Sequence, residues 1–385
     1  MTVKILNVDM TLNAVAGGGT TERTCQMSRH LAEAGCQCTI LTTDYGLTHE
    51  RVYDDLKGVE VIALPCLNKR FYLPLVSLRK LSRIISQADI IHVMGHWTLL
   101  NALVYWSARR LRKPYAVCPA GALPIYGRSK IIKHLYNSIV GKSIIRNATR
   151  LIAITHDESK QFLTYGADER IISVIPNGIN EADFEYNDDI YFRNKYTLSD
   201  RPIILFVGRL NHIKGPDILL DAFSNIADQL PEYDLVFVGP DSGMLQELKR
   251  IVQQQCLENR VFFLGFLGGR DKSMVYHAAD LLVIPSRSEA MSIVVLEAGI
   301  SGTPVLLTDK CGFHTADAVE GIWTVSATVD GIQQGLLSIL CHPNRSLKEK
   351  GNALKAFIKE KYAWKALISR YIDLYTNMLS APETK

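Results

Sequence analysis

Short apolar segments alternate with longer amphipathic segments along most of this chain. In the first half, segments rich in valine and isoleucine predict strands near 3–9, 38–43, 59–64, 89–93, 115–118, 151–154 and 172–175. Segments of helix length lie between them, near 20–35, 74–86, 98–111, 129–147 and 157–165. This alternation is typical of βαβ units and predicts a largely parallel sheet covered by helices.

The same alternation starts again near residue 201 and predicts a second sheet. Its apolar segments are RPIILFVGRL, YDLVFVGP, RVFFLGFL, ADLLVIPS and TPVLLT, and helices are expected near 216–229, 243–255, 271–278, 292–301, 328–340 and 346–360. The intervening segment 179–200 combines turn-forming residues with charge and has no sustained pattern, which is typical of a linker. We therefore predict two α/β domains, at 1–178 and 201–363, and a terminal helix at 364–385.

Length and composition agree with a two-domain globular protein. The chain has 385 residues, a net charge of +4 and a hydrophobic content of 47%. No apolar run reaches the roughly 18 residues of a membrane-spanning helix, and the first residues lack the apolar region of a signal peptide. We expect a cytoplasmic protein with scattered, reduced cysteines and no nucleic-acid partner.

Charge is divided unevenly along the chain. Residues 1–178 contain 22 lysines and arginines against 13 acidic residues, and the remainder contains 21 against 26, so the net charges are +9 and −5. The first half should therefore favour anionic surroundings. Within it, 128–150 is a basic amphipathic segment, which either lies on anionic lipid or packs as an ordinary helix against the first sheet. Its apolar stripe is Ile131, Ile132, Leu135, Tyr136, Ile139 and Val140, and its cations include Lys130, Lys133, Lys142 and Arg146.

Two glutamates stand eight residues apart in the stretch PSRSEAMSIVVLEAGISGTP. Glu289 is expected in a loop, and Glu297 two turns into the following helix. A helix N-terminus offers unpaired backbone N–H groups and the positive end of the helix dipole, so the turn from Ala290 to Ile293 is suited to a phosphate. Carboxylates beside it can grip hydroxyl groups of the same ligand. This arrangement suits a nucleotide sugar.

Two cations flank the loop after the first strand of the second sheet. Arg209 follows that strand, and Lys214 comes five residues later, just before Pro216 opens a helix. Ligands of open α/β sheets bind at the carboxyl edge of the strands, where a guanidinium and an ammonium can neutralise a diphosphate leaving group. Alone, either residue is equally compatible with a solvated loop charge.

The pattern Glu-x7-Glu, followed by Ala298 and Gly302-Thr303-Pro304-Val305, resembles the donor-site signature of retaining glycosyltransferases of family 4, the group 1 enzymes. The resemblance extends over nearly the whole chain. It implies the GT-B fold, an α/β architecture in which two Rossmann-like doubly wound domains face a central cleft. The first domain would bind the acceptor and the second the donor, and the terminal helix would pack back on the first domain.

The resemblance implies roles for individual residues of the second domain. Arg209 and Lys214 are expected to stabilise the diphosphate. Glu289 is expected near the anomeric centre of the donor sugar, and Glu297 at the nucleotide ribose. The strand ends at Gly239 and at Phe266 are expected near the nucleotide base.

One departure from the family lies directly after Glu289. The family has Glu-Gly-Phe-Gly where this chain has Glu289-Ala290-Met291-Ser292, so the fit around the ligand should differ. The expected phosphate ligands are the backbone N–H groups of Met291, Ser292 and Ile293.

The first domain contains two further candidates. Three glycines follow the first strand, where the family has a loop over the donor diphosphate and the acceptor, and Gly18 and Gly19 are the expected contacts. The fourth strand ends in His92-Val93-Met94-Gly95-His96, where the family has His-x-His-Gly. His96 is therefore a candidate catalytic residue near the donor sugar, or else a packing or helix-capping histidine.

The sequence contains no Asp-x-Asp triplet and no cluster of metal ligands, which predicts metal-independent catalysis without a cofactor. The resemblance implies front-face attack with retention, in which the departing phosphate takes the acceptor proton. We expect a hexosyl or N-acetylhexosaminyl transferase that uses a UDP- or GDP-linked donor and a glycan or glycolipid acceptor. Surface polysaccharide biosynthesis, such as that of lipopolysaccharide, at the inner face of the membrane would fit.

Three other interpretations stay open. A transferase with a soluble acceptor, as in sucrose phosphate or glycogen synthesis, needs no basic membrane-facing segment. A dinucleotide-dependent oxidoreductase shares the doubly wound sheet, although GxGxxG with a following acidic residue is absent. A catalytically silent GT-B module that binds a partner or a glycan is compatible with the altered Glu-Ala-Met-Ser turn.

Overall fold

The computed structural model of the chain describes residues 2–47, 56–125, 129–313, 319–341 and 347–380. The chain divides into two units, the first made of Met1–Gly178 with Trp364–Lys385 and the second of Ile179–Ala363. Each unit is built on one parallel sheet. No helix of the described ranges is long and apolar enough to span a bilayer.

The first unit is built on a seven-stranded parallel sheet. The unit contains nine strands in its described residues, of which seven form this sheet. They are β1 (Lys4–Val8), β2 (Gln37–Thr43), β3 (Val59–Leu64), β4 (Cys66–Asn68), β5 (Leu73–Pro74), β6 (Ile90–Met94), β7 (Tyr115–Cys118), β8 (Arg150–Ala153) and β9 (Ile172–Val174). The sheet order is β3-β2-β1-β6-β7-β8-β9, while β4 and β5 form a separate antiparallel hairpin. All residues of β6 and β7 are buried, as expected of parallel strands covered on both faces.

Helices connect these strands and pack on them. They are α1 (Ala14–Gly17), α2 (Gly19–Glu33), α3 (Leu78–Gln87), α4 (Leu99–Arg110), α5 (Lys130–Tyr136), α6 (Lys142–Arg146) and α7 (His156–Thr164), with a π-helical turn at Asn137–Gly141 and a 3-10 turn at Glu169–Ile171. The hydroxyls of Ser77, Thr98 and Thr155 cap α3, α4 and α7 by accepting a hydrogen bond from the backbone N–H three residues later. The π-helical turn divides the single helix that the pattern predicts over 129–147.

The second unit has a six-stranded parallel sheet. Its strands are β10 (Ile203–Val207), β11 (Asp234–Val238), β12 (Val261–Gly265), β13 (Leu281–Ile284), β14 (Val305–Thr308) and β15 (Ile322–Val325), in the order β12-β11-β10-β13-β14-β15. Its helices are α8 (Asp189–Tyr196), α9 (Pro216–Ile226), α10 (Leu245–Gln254), α11 (Gly269–Ala278), α12 (Ile293–Ser301), α13 (Val329–Leu340) and α14 (Leu347–Tyr362). The strand order reverses between β10 and β13, and open sheets bind ligands at such a reversal.

The last helix, α15 (Trp364–Ser380), packs on α2 and β6 of the first unit. Tyr375 Oη lies 2.6 Å from His92 Nδ1 on β6. The buried guanidinium of Arg23 donates to Tyr371 Oη and, at 2.8 Å, to the Ile175 carbonyl. The helix α15 thus belongs to the packing of the first unit although it follows the second unit in sequence.

The interpretation of 179–200 as a linker without regular structure is wrong in detail. The segment belongs to the second unit and contains a 3-10 turn at Glu181–Phe184 and the helix α8. Asp188 caps α8 by accepting from the N–H of Tyr191 at 2.9 Å, and Phe192 is fully buried. A helix of eight residues is too short to establish a clear periodicity. For the same reason the short strands β4, β5 and β15 have no counterpart in the prediction.

Candidate functional site

The loops after β10 and β13 lie against each other at the carboxyl edge of the second sheet. Gly215 has a φ of +69°, and a Cβ there would lie 2.2 Å from the Pro285 carbonyl oxygen, so only glycine permits this approach. Across the same contact the Arg287 guanidinium donates to both carboxylate oxygens of Asp217, at 2.9 and 2.6 Å. Burial opposes ionisation of Asp217, but the bonds and charge of Arg287 outweigh it and lower the carboxyl pKa.

Lys214 and Glu289 meet where these two loops touch. Lys214 Nζ lies 2.8 Å from Glu289 Oε1, and the glutamate side chain is 8% exposed. Ser286 Oγ donates to the same oxygen at 2.5 Å, and the Glu289 backbone N–H donates to the Lys310 carbonyl at 2.8 Å. The carboxylate is therefore held by a cation and a hydroxyl.

A buried thiol lies beside this carboxylate. Burial, reinforced by the neighbouring charge of Glu289, raises the pKa of Cys311 to about 12. The thiol therefore stays neutral, and it points at the Ile284 carbonyl with an S–O distance of 3.6 Å.

Arg209 is exposed at the end of β10. Its guanidinium has no hydrogen-bond or ion-pair partner among the residues that the structure describes. A guanidinium in this state can bind an anion without first breaking a bond within the protein.

The turn from Glu289 to Ser292 leads into α12. Ser292 is the N-cap residue of this helix, but its side chain makes no capping hydrogen bond. Its hydroxyl is buried and has no partner in the described part of the chain. The first N–H groups of α12 have no intrahelical acceptor either. The turn thus offers a hydroxyl and backbone donors, with Met291 buried and Ile293 half-buried beside them.

Glu297 is held by the neighbouring helix α11. Tyr276 Oη donates to one carboxylate oxygen at 2.6 Å, and Lys272 Nζ donates to the other at 2.5 Å. Burial and the adjacent charge of Glu297 raise the pKa of the Tyr276 phenol well above its ordinary value. A carboxylate oxygen has two lone pairs, so each can still accept a second bond.

A cleft of about 410 Å³ opens at the carboxyl ends of β11 and β12. Gly239 and Phe266 both line it, together with Leu210 from the loop that carries Arg209. A Cβ at Gly239 would lie 1.8 Å from the Gly208 carbonyl oxygen. The residues expected near the nucleotide base, Gly239 and Phe266, therefore line the same cleft as the loop that carries Arg209.

Three hydroxyl-containing pairs hold α2 against β1 and the residues that follow this strand. The pairs are Ser28 with Asn7 at 2.8 Å, Thr24 with Asp9 at 2.6 Å, and Thr21 with the Thr11 carbonyl at 2.7 Å. A step of two residues along a strand covers about the same distance, about 5–7 Å, as a step of three or four residues along a helix. Successive hydroxyl residues of α2 therefore stay opposite successive partners on and after β1. Burial raises the pKa of Asp9 to about 6 although the Thr24 hydroxyl opposes this effect.

The predicted glycine loop lies directly above these pairs. Gly18 has a φ of +56° and precedes the first residue of α2, Gly19, which is exposed. A Cβ at Gly18 would meet no atom within 4 Å. The backbone turn therefore requires glycine, and the space above Gly18 is open.

His96 is enclosed by aromatic rings. It is 2% exposed, and its ring makes edge contacts with Trp97, Tyr136 and Tyr165 at centroid distances of 4.6, 5.7 and 5.5 Å. Its Nε2 lies 3.1 Å from Asn137 Oδ1, and burial lowers its pKa to about 4. This environment favours the packing role that the sequence left open, and it gives the catalytic role no support.

The basic segment exposes much of its apolar stripe. Ile131, Ile132, Leu135 and Ile139 are 84%, 53%, 58% and 63% exposed, whereas Val140 is buried. Arg128 lies outside the described residues. Of the two interpretations of this segment, packing against the first sheet therefore describes Val140 but not these four side chains.

Several residues that shape the site have no clear signal in the sequence. Ser286 precedes Glu289 by three residues, and this spacing alone could have identified it. Nothing local indicates that Asp217 meets Arg287, or that α11 faces Glu297, because both depend on how distant elements pack. Within the described ranges, no three histidine, cysteine or acidic residues are grouped as a metal site would need.

Two family models match the chain and together span most of it. The model described as "Glycosyl transferases group 1" matches residues 188–360, and "Glycosyltransferase Family 4" matches residues 17–183.

Curated relatives point the same way. An uncharacterized glycosyltransferase of Methanocaldococcus jannaschii is 32% identical over 225 residues, which are 55% of this chain and 55% of the relative. The D-inositol 3-phosphate glycosyltransferase of Nocardia farcinica is 35% identical over 183 residues, 46% of this chain and 41% of the relative. The chain thus spans about half the length of these two relatives.

Solved structures share the fold over nearly the full length. HepE of Anabaena, in complex with UDP and glucose, superposes with a TM-score of 0.80 at 18% identity, covering 97% of this chain and 100% of HepE. WaaG, a glycosyltransferase involved in lipopolysaccharide biosynthesis, gives 0.69 at 18% identity, covering 97% and 99%.

Proposed function

Since the chain belongs to the group 1 glycosyltransferases and has their GT-B fold, we propose that it transfers a sugar from a UDP- or GDP-linked donor to a hydroxyl of a lipid-linked glycan. The family supports the transfer itself. HepE has been observed with UDP-glucose, and WaaG acts in lipopolysaccharide biosynthesis. These two proteins motivate the choice of donor and of a surface-glycan acceptor.

The observation that carries the proposal is the convergence of charges around Lys214. This lysine links the loop of Arg209 to the loop of Glu289, and the donor-rich turn at Ser292 follows directly. In the proposed reaction Arg209, Lys214 and the N-terminus of α12 bind the diphosphate. Their positive charge stabilises the negative charge that develops as the bond between the sugar and the phosphate breaks.

We propose that the transfer retains the anomeric configuration and needs no metal ion. The acceptor oxygen attacks from the side that the diphosphate leaves, and the leaving phosphate oxygen takes the acceptor proton. Glu289, which a cation and a hydroxyl hold in place, would orient the donor sugar. The cationic side chains supply the positive charge that a metal would otherwise provide.

Binding at the inner face of the membrane is part of the same proposal. The first two turns of the basic segment expose four aliphatic side chains beside Lys130 and Lys133. Aliphatic side chains among cations suit the headgroup region of an anionic bilayer, where a lipid-linked acceptor would be found.

A soluble acceptor is the second candidate, because several relatives are named D-inositol 3-phosphate glycosyltransferases. Such an acceptor would make turnover independent of membranes. Transfer to a lipid-linked acceptor in vesicles, compared with transfer to free sugar phosphates, separates the two candidates.

The test is a thermal-denaturation series with UDP, GDP, ADP, CMP, NAD and the matching sugar nucleotides. A ligand at about 100 times its Kd should raise the free energy of unfolding by roughly 2.7 kcal/mol. We expect one nucleoside diphosphate to stabilise the wild type and the control Arg250→Ala, but not Arg209→Ala. Consumption of the sugar nucleotide by the wild type and not by Glu289→Ala would distinguish a transferase from a silent binding module. Absence of any shift at millimolar ligand would contradict the proposal.

A further inference from the structure

The hairpin formed by β4 and β5, with the start of α3, exposes an unusual number of large apolar side chains. Leu67, Phe71, Leu75 and Leu78 are 66%, 42%, 56% and 64% exposed. Single exposed apolar residues are common on protein surfaces, but groups of them mark interaction sites. These four side chains lie within one hairpin and the helix start that follows it.

The same segment is strongly cationic. Five exposed cations lie among the apolar residues, namely Lys69, Arg70, Arg79, Lys80 and Arg83. Between Val61 and Gln87 the sequence contains no aspartate or glutamate. None of the five cations forms an ion pair with another described residue. We call these four apolar and five cationic residues the hairpin surface.

The local structure holds these side chains outward. The Leu75 backbone N–H donates to the Pro65 carbonyl at 2.7 Å, which closes the base of the hairpin, and the N–H of Cys66 donates to Asp44 Oδ1 at 2.8 Å. The Arg70 guanidinium lies over the Phe71 ring, 5.4 Å from its centroid. The backbone is thus fixed from within the unit, while no residue in the described part of the chain covers the apolar side chains.

The hairpin surface and the exposed stripe of α5 flank the same helix. Strand β5 packs on α4, and Tyr136 Oη at the end of α5 donates to the Thr98 carbonyl, which lies just before α4, at 3.1 Å. Leu99, the first residue of α4, is 40% exposed. Two cationic and apolar surfaces of the first unit therefore adjoin the same helix.

We propose that the hairpin surface docks on an anionic lipid bilayer, with its apolar side chains in the headgroup region and its cations on lipid phosphates. An anionic bilayer satisfies both components, since it accepts aliphatic side chains and attracts lysine and arginine. A symmetric contact with a second copy of the chain would bring like charges together. A nucleic acid would leave the leucines without a partner. The inference does not require the transferase activity.

The test is cosedimentation with vesicles of phosphatidylcholine that contain one third phosphatidylglycerol, at low and high salt and without nucleotide. We expect the wild type to bind these vesicles and to lose binding as salt rises. The variant Leu67→Ser/Arg70→Glu should lower the partition constant by about tenfold or more, because it removes an apolar contact and reverses a charge near the surface. The matched control Ile190→Ser/Lys365→Glu, which changes exposed residues elsewhere, should bind like the wild type.

A Phe71→Trp variant provides a measurement that does not depend on the stability of the charge variant. Its added fluorescence should shift to shorter wavelength with anionic vesicles and not with neutral ones. Three results would overturn the proposal: no binding by the wild type, equal binding by the hairpin variant, or loss of binding only in Ile131→Ser/Ile139→Ser, which changes α5 and the π-helical turn after it. A change from dimer to monomer in the hairpin variant, without a change in vesicle binding, would instead identify a second copy of the chain as the partner. A wild type that binds no vesicles would contradict both the hairpin docking and the membrane part of the proposed function. Nucleotide binding is measured without vesicles, so the proposed donor site and transfer reaction are tested separately.

Discussion

Lys214 Nζ and Glu289 Oε1 are 2.8 Å apart, and they connect the loops that follow two adjacent strands of the second sheet. In the proposed reaction the same lysine also binds the donor diphosphate. The carboxylate of Glu289 neutralises the lysine in the structure. In the proposed reaction a bound diphosphate would share the Lys214 ammonium with Glu289. The lysine would then have two anionic partners instead of one.

A double-mutant cycle on this pair should reveal strong coupling. Lys214→Ala alone leaves Glu289 facing the diphosphate without its cation, so we expect nucleoside diphosphate affinity to fall by about 100-fold. Lys214→Ala/Glu289→Ala should recover part of that loss, since the repulsion is then absent. Titration calorimetry of the four proteins measures the effect. Strictly additive losses would show that the ion pair has no influence on binding.

Ser292→Ala should change stability and affinity in opposite directions. The hydroxyl is buried without a partner, so its removal should stabilise the protein by about 1 kcal/mol. If the hydroxyl donates to a phosphate, the same change should weaken nucleoside diphosphate binding by about tenfold. Ser224→Ala is a matched control, because that hydroxyl is also buried without a partner among the described residues, yet lies on α9. Equal nucleotide affinity in both variants would exclude Ser292 as a ligand.

Gly239→Ala should damage the nucleotide cleft, whereas Gly243→Ala should not. A Cβ at Gly239 would lie 1.8 Å from a backbone oxygen, while one at Gly243 would meet nothing within 4 Å. Both glycines have positive φ, so each substitution costs about 1–2 kcal/mol in backbone strain. Only Gly239→Ala adds displacement of the neighbouring loop, and we expect loss of nucleotide binding with it. Denaturant unfolding and nucleotide titration of the two variants check this difference.

Asp9 should make the protein less stable as pH rises from about 4 to 7. Burial raises its pKa from 3.8 in the unfolded chain to about 6 in the folded one. The protonated form is favoured by folding, so the stabilisation is complete below pH 4 and is lost as pH rises through 6. Asp9→Asn should remove this dependence and stabilise the protein by up to about 3 kcal/mol at pH 7.

Urea unfolding of wild type, Asp9→Asn and the exposed control Asp200→Asn across this pH range measures the dependence on Asp9. A wild-type curve parallel to that of Asp9→Asn would mean that Asp9 stays ionised in the folded protein.

The sequence predicted the part of the fold that depends on local pattern. Buried parallel strands carry continuous apolar runs, so all seven sheet strands of the first unit were recognisable, and the motif spacing placed Arg209, Lys214 and Glu289 at strand ends. The structure brings the last two together because β10 and β13 are neighbours. The strand order, rather than either loop alone, determines that contact.

Other features depend on packing that no local pattern records. Glu297 is expected to face a ribose, yet its two oxygens already accept from Lys272 and Tyr276 on a different helix. His96 follows a strand at a plausible site position but is surrounded by the ring of the adjacent Trp97 and by those of the distant Tyr136 and Tyr165. The sequence alone does not distinguish the exposed leucines of the hairpin from buried ones. Their exposure is evident only from the packing around them.

The contribution of α15 to the first unit has a consequence for how the protein is made. Arg23 leaves the ribosome long before Tyr371, which accepts one of its hydrogen bonds. While the second unit is being synthesised, the first unit lacks the helix that covers Arg23 and His92. The Arg23 guanidinium and the His92 ring therefore lack these partners until residues 364–380 have been synthesised. A chain that stops short of residue 364 would therefore leave a buried-type guanidinium and imidazole without the two tyrosines that bind them in the folded protein.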